Sequence, residues 1–284
     1  MKREHRLQLN GVTLQVLEYG SAKAEPIIFL HGFPDFSHGW RQQIPFFEEQ
    51  GFRLFVPDQR GYNRSDKPSS VKEYSLDHLA GDILALLDHF ELPQAHLVGH
   101  DWGGIVAWWL ALKHPKRLKR VAILNVPHPQ VLRDHLRHNR TQLRKSWYML
   151  AFQLPWLPEK LLGSGQFIHF QQSMSHSARR GAITPTDLEK YRAAWAQPGA
   201  LTGMLNWYRA MFRTRPKPPA SLQVTLPTLL IYGGRDPFLG EELIQPSLAF
   251  CTQGELEVYP SAGHFTHLDE NEEVNHRLLT FFRP

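Results

Sequence analysis

The apolar positions of the first third of the chain fall into two kinds of run. "VTLQVLEYG" (12–20) alternates apolar and polar residues, as a half-buried strand does. "PIIFL" (26–30), "RLFVP" (53–57), "AHLVG" (95–99) and "VAILN" (121–125) are short, continuous apolar runs bounded by punctuating residues, the pattern of strands buried on both faces. Between them, "SLDHLAGDILALLDHF" (75–90) puts Leu76, Leu79, Ile83, Leu86, Leu87 and Phe90 on one helical face, with Ser75 placed to cap it. Strands alternating with helices predict a mostly parallel sheet flanked by helices. From residue 127 to 219 no β-like run occurs, and Thr184-Pro185 reads as a helix start. "RPKPPA" (215–220) is a stiff connector. The strand pattern resumes in "TLLIYGG" (228–234) and "ELEVYP" (255–260), before a last helix in "NEEVNHRLLTFF" (271–282). The expected organisation is a core of residues 1–126 and 220–284, with a helical cap of residues 127–219 inserted in it.

Composition narrows the class. The 284 residues are 42% hydrophobic, enough for a substantial core and too many for a disordered chain. No run reaches the length of a membrane span, and the start of the chain has no apolar targeting segment. The single cysteine, Cys251, forms no internal disulfide and reads as inert filler. A cytoplasmic protein, monomeric or homodimeric, is expected. The net charge of +5 is concentrated in residues 113–120, 133–145 and 213–217. With no nucleic-acid-binding motif beside them, these clusters read as a solvated basic face.

The chemistry centres on "GHDWGG" (99–104), a strand turning sharply into a helix, the layout of a nucleophile elbow. Its centre is Asp101, where the commoner version has serine. A serine attacking a saturated carbon would give an ether, which an ordinary hydrolase cannot reopen. A carboxylate gives an alkyl ester, whose carbonyl a base-activated water can attack with help from an oxyanion hole. Asp101 therefore points to substitution at an sp³ carbon. The plain alternative is an aspartate that caps the following helix. Two further segments weigh against it. "IYGGRDPFLG" (231–240) delivers Asp236 into a loop after a strand, and "SAGHFTHLDE" (261–270) places His264 after a glycine. Nucleophile, acid and base then follow in the order of an α/β-hydrolase triad. His100 and His267 are rivals for the base; His264 is preferred for its glycine and its loop position. The oxyanion donors expected are the backbone N–H of Trp102 and that of Phe33 in "HGFPD" (31–35), where Pro34 is a candidate for a cis bond.

These motifs, with "DQRGYNRSDKP", "NVPHP" and "GHFTHLDE" in order along nearly the whole chain, resemble the epoxide hydrolases of the α/β-hydrolase superfamily. One departure is Asn63, where that family usually has glycine. Asn tolerates a left-handed backbone next best, so the loop is expected to survive. The resemblance implies that Tyr148 in "SWYMLAFQLP" and Tyr208 in "LNWYRAM" donate to the oxygen of the opening epoxide. It further implies a small-molecule epoxide and water as reactants, no cofactor, no metal and no nucleic acid. His31, Pro34, Trp147, Phe152 and Trp207 are expected to line the substrate pocket, with Trp156 and Phe212 adding to the pocket or the cap core. A dehalogenase using the same aspartate, or a non-catalytic binding protein on this fold, are the alternatives. The dehalogenase would need a second halide donor beside Trp102, and none is apparent.

Overall fold

The computed structural model describes residues 2–283. Eight strands form one sheet in the order β1-β2-β4-β3-β5-β6-β7-β8. They are β1 (Arg3–Leu9), β2 (Val12–Tyr19), β3 (Pro26–Leu30), β4 (Arg53–Pro57), β5 (Ala95–His100), β6 (Leu118–Leu124), β7 (Thr228–Gly233) and β8 (Gly254–Tyr259). β1 and β2 form an antiparallel hairpin, and β2 also runs antiparallel to β4. From β4 to β8 every neighbour is parallel.

The continuous apolar runs are explained by a core on each face. Successive side chains of a strand point to opposite faces. In β3, Ile28 and Leu30 join the core under helices Leu76–His89 and Trp102–Lys113, while Ile27 and Phe29 join the core under helices Gln43–Glu49 and Asn271–Phe282. The hydrophobic pattern does not predict β1. Its "REHRLQL" is mostly polar, and it is held as an edge strand by β2 and by Arg3 and His5, which both pair with the buried carboxylate of Glu18.

Between β6 and β7 every described helix or strand is helical, from Pro129 to Arg213. The helix start expected at Thr184-Pro185 is present: Thr184 caps helix Pro185–Trp195, and the structure adds a capping box with Asp187. Ser75 does not cap as expected: it occupies the cap position of helix Leu76–His89, but its hydroxyl pairs with the His78 ring instead. Helix Ala200–Arg213 lies against the loop after β4 at the Gly61–Gly203 crossing. A Cβ on Gly203 would lie 2.6 Å from the Gly61 carbonyl oxygen, so only glycine permits this approach. Asn63 has φ +41°, and its side-chain amide donates to Asp58 at 2.8 Å. Among the described residues no helix is long and apolar enough to cross a membrane.

Candidate active site

The loops that leave the carboxyl ends of β3, β5, β6, β7 and β8 converge, which is where open α/β sheets bind ligands. At the end of β5 the chain turns at Asp101 with φ +50° and ψ −119°, a sparsely populated conformation for a residue with a side chain. Glycines make the turn possible. A Cβ on Gly103 would lie 2.2 Å from the Leu30 carbonyl oxygen. Asp101 occupies the cap position of helix Trp102–Lys113, but its carboxylate makes no capping bond. Instead, Oδ1 accepts the Phe33 N–H at 2.8 Å, and Oδ2 lies 3.6 Å from His264 Nε2. The capping alternative therefore does not account for the carboxylate.

His264 Nδ1 is 2.8 Å from Asp236 Oδ2. Asp236 is itself held on four sides. Its Oδ1 accepts the N–H groups of Phe238 and Leu239, at 2.8 and 3.1 Å, and its Oδ2 also accepts the Asn125 amide at 3.0 Å. Burial pushes the Asp236 carboxyl up, but the His264 charge and these donors outweigh it and hold it below the usual carboxylate range. The Asp101 carboxyl is likewise held low, since burial is outweighed by His264 and by the Phe33 N–H. For His264 burial favours the neutral form. The charge of Asp236 and the pairing with both carboxylates win, raising it to about 10.

The rivals for the base sit elsewhere. His100 Nε2 is 2.8 Å from the His264 backbone carbonyl, and burial lowers its pKa to about 4. His267 is buried against the Trp40 ring, and burial lowers it well below its ordinary value. Among the described residues, the imidazole that pairs with the Asp101 carboxylate is that of His264.

The remaining pieces of "HGFPD" fix the turn that carries Phe33. The peptide bond between Phe33 and Pro34 is cis. A Cβ on Gly32 would sit 2.5 Å from Asp101 Oδ1, so glycine lets the turn approach the carboxylate. His31, expected in the pocket, lies behind the wall. Its Nε2 accepts the Gln59 N–H at 3.0 Å, which leaves Nδ1 to donate to the Gly32 carbonyl at 3.0 Å. Burial lowers its pKa to about 4, so it is a neutral brace for the turn. Trp102 opens its helix, where a backbone N–H has no intrahelical acceptor.

Above this cluster lies a cavity of about 490 Å³. Asp101, Trp102, His264, Phe33 and Pro34 form its floor, and Tyr148, Phe152, Trp207 and Tyr208 contribute to its walls from the helical segment. The Tyr208 ring packs edge-on to Phe33 and to Trp102, each at 5.0 Å between centroids, and the Tyr148 ring is 5.9 Å from that of Tyr208. Burial first, and then the Asp101 charge, raise the Tyr148 phenol far above its ordinary pKa. Burial and the neighbouring Tyr148 and Asp101 do the same for Tyr208. Both phenols are thus protonated and able to donate. Trp207 is buried, with its indole N–H donating to the Arg60 carbonyl at 2.9 Å. Trp147 borders the cavity but is mostly exposed, which puts it at the mouth. Trp156 and Phe212 are exposed and do not border the cavity, contrary to expectation. Cys251 lies away from the site, its thiol raised to about 11 by burial.

Sequence reasoning missed several contributors. Asn125 reads in the sequence only as the end of the run "VAILN" and the start of "NVPHP". Its place at the end of β6, beside the nucleophile strand, was the available signal. Phe238 and Phe170 line the cavity and pack against His264 and Phe33 respectively. Ser177 accepts the His264 N–H at 2.7 Å through its carbonyl, and Asp269 accepts the N–H groups of both Gly263 and Arg179 at 2.7 Å. These last contacts tie the helical segment to the His264 loop, and nothing local in the sequence announces them. Among the described residues no group of His, Cys, Asp and Glu could hold a metal ion.

Comparison with known proteins gives this arrangement a family. Residues 25–271 match the family model of the alpha/beta hydrolase fold. AB hydrolase superfamily protein YfhM of Bacillus subtilis is 38% identical over 274 residues, covering 96% of each chain. Human epoxide hydrolase 4 is 34% identical over 284 residues, covering 98% of this chain and 78% of its own. The crystal structure of a Bacillus megaterium epoxide hydrolase in complex with an inhibitor superposes with a TM-score of 0.91 at 29% identity, covering 99% of this chain and all of that one. The chain belongs to the α/β-hydrolase fold family and, within it, to the epoxide hydrolases.

Proposed function

We propose that this hydrolase converts epoxides to vicinal diols through a covalent ester on Asp101, with residues 127–219 acting as a cap over the core. An Asp101 oxygen attacks the less hindered epoxide carbon. The ring C–O bond breaks, and its electrons pass to the ring oxygen, which takes a proton from Tyr148 or Tyr208. An alkoxide is a strong base, so a donor at this point lowers the barrier.

The second half-reaction cleaves the ester. Esterification removes the Asp101 charge, one of the causes that hold the His264 pKa high. The imidazole then falls toward its ordinary value, gives up its proton, which restores the phenol left ionised by the first half-reaction, and becomes available as a base. Oriented by Asp236, it deprotonates a water that attacks the ester carbonyl. The N–H groups of Phe33 and Trp102 stabilise the oxyanion, which collapses to release the diol and restore the carboxylate.

The observation that carries this reading is the cavity shared by an ionised carboxylate and two protonated phenols. A departing halide is a stable anion with no need of a proton, whereas an opening epoxide needs one. The test is a panel of small epoxides and haloalkanes assayed for diol and for halide. Diol from epoxides without halide release is expected. Halide release without diol would favour the dehalogenase instead.

A further inference from the structure

We propose that the cap, around the cavity mouth, docks on an anionic lipid surface. The exposed side chains there have two complementary characters. Trp147, Leu150, Leu154, Trp156 and Phe212 are each about half or more exposed, at 67, 56, 47, 68 and 50%. They form neighbouring pieces of surface, because Arg213 donates to the Gln153 carbonyl and Arg209 to the Leu154 carbonyl, seating the end of helix Ala200–Arg213 beside residues 153–154. Large apolar side chains on an ordinary soluble surface are scattered singly; a group of them marks an interaction site.

The second character is charge. Neither residues 135–158 nor residues 190–235 contain a single Asp or Glu. The mouth itself is bordered by Arg144, Lys145, Thr214 and Pro216. Arg215 and Lys217 alternate with the last two and are exposed. Among the described residues, the side chains of Arg144, Lys145, Arg215 and Lys217 have no carboxylate within ion-pairing distance. The basic side chains elsewhere on the molecule frequently do, as with Lys113 and Asp77 or Arg117 and Asp88.

A face that combines unpaired cations with exposed Trp, Phe and Leu suits the headgroup boundary of an anionic membrane. Two other occupants fit less well. A second copy docking through the same face would set Arg144, Lys145, Arg215 and Lys217 against their own copies, and the carboxylate beside the Lys217 N–H, Asp77, is already paired with Lys113. Nucleic acid would meet the cations but gain little from Leu150 and Leu154. The geometry also gives docking a consequence, since the cavity opens on the docked face and an apolar substrate would enter from the lipid without crossing water.

Co-sedimentation of the full chain with vesicles tests this. Binding to phosphatidylglycerol vesicles and little binding to phosphatidylcholine vesicles is expected, with loss of binding as salt is added. Arg215→Glu with Lys217→Glu should weaken binding by more than about tenfold, since each cation near such a surface contributes roughly fivefold. Leu154→Ser with Trp156→Ser should weaken it independently. None of these four residues lines the cavity, and unchanged thermal melting will show that each variant is folded. Should the apolar variant fail to fold, the charge-reversed one still decides the matter. The proposal is overturned if phosphatidylglycerol vesicles do not bind the protein, or if the charge-reversed variant binds as well as the parent. It is equally overturned if light scattering finds a dimer that Leu154→Ser and Trp156→Ser dissociate while vesicles are ignored.

Discussion

Asp236 Oδ2 and His264 Nδ1 lie 2.8 Å apart, and this contact fixes which imidazole nitrogen faces Asp101. With Nδ1 engaged, Nε2 is the atom turned to the elbow, 3.6 Å from the carboxylate. Asp236→Asn keeps the shape but replaces the acceptor with an amide that can favour the wrong tautomer. Ester hydrolysis should slow on the order of 10²–10⁴-fold, by analogy with the orienting aspartate of serine hydrolases. Alkylation by an epoxide should be affected much less. Rapid-quench kinetics separate the two steps, and equal slowing of both would contradict the assigned role.

The electrostatics of the same pair set a pH expectation. With Asp101 ionised, His264 is raised to about 10 and is protonated at neutral pH. Asp101→Asn mimics the loss of charge on esterification. It should lower the His264 pKa, so that the imidazole deprotonates at a lower pH than in the parent. Histidine titration by NMR reads this directly. In steady state, alkylation should be insensitive to pH down to the acid range, because the Asp101 carboxyl is held below its ordinary value. Ester hydrolysis should rise with pH and level off as His264 of the alkylated enzyme loses its proton. A His264 pKa that is unchanged in Asp101→Asn would remove the proposed route to the neutral base.

The cap phenols should act in the first half-reaction. Loss of one donor to a developing oxyanion costs on the order of 10²–10³ in rate elsewhere. Two donors share the epoxide oxygen here, so each can partly cover for the other. Tyr148→Phe and Tyr208→Phe should each slow single-turnover alkylation by roughly tenfold to a thousandfold, and the double variant should be nearly inactive. Alkylation of the double variant at the parental rate would remove the main ground for preferring epoxides over alkyl halides.

The legible parts of this molecule are those whose signal is local. Continuous apolar runs predict β3 to β6, and the helix start at Thr184-Pro185 reads directly from its own residues. The motifs at strand ends led to Asp101, Asp236 and His264, because the fold brings the carboxyl ends of parallel strands together. Features set by distant partners were not legible. β1 exists because β2 pairs with it. His31 sits beside a site motif in sequence, yet it is turned away by the backbone of Gln59. Trp156 and Phe212 look like core residues by type, but burial depends on what packs over them, and both are left half or more exposed.

The most direct test of the account is the fate of water oxygen in one turnover. Enzyme in excess over epoxide, in ¹⁸O-water, is quenched after a single cycle. Water attacks the ester carbonyl in the proposed mechanism, so the peptide containing Asp101 should carry the label and the diol should contain none. A labelled diol with an unlabelled Asp101 peptide would mean that water attacks the epoxide directly and that no aspartyl ester forms.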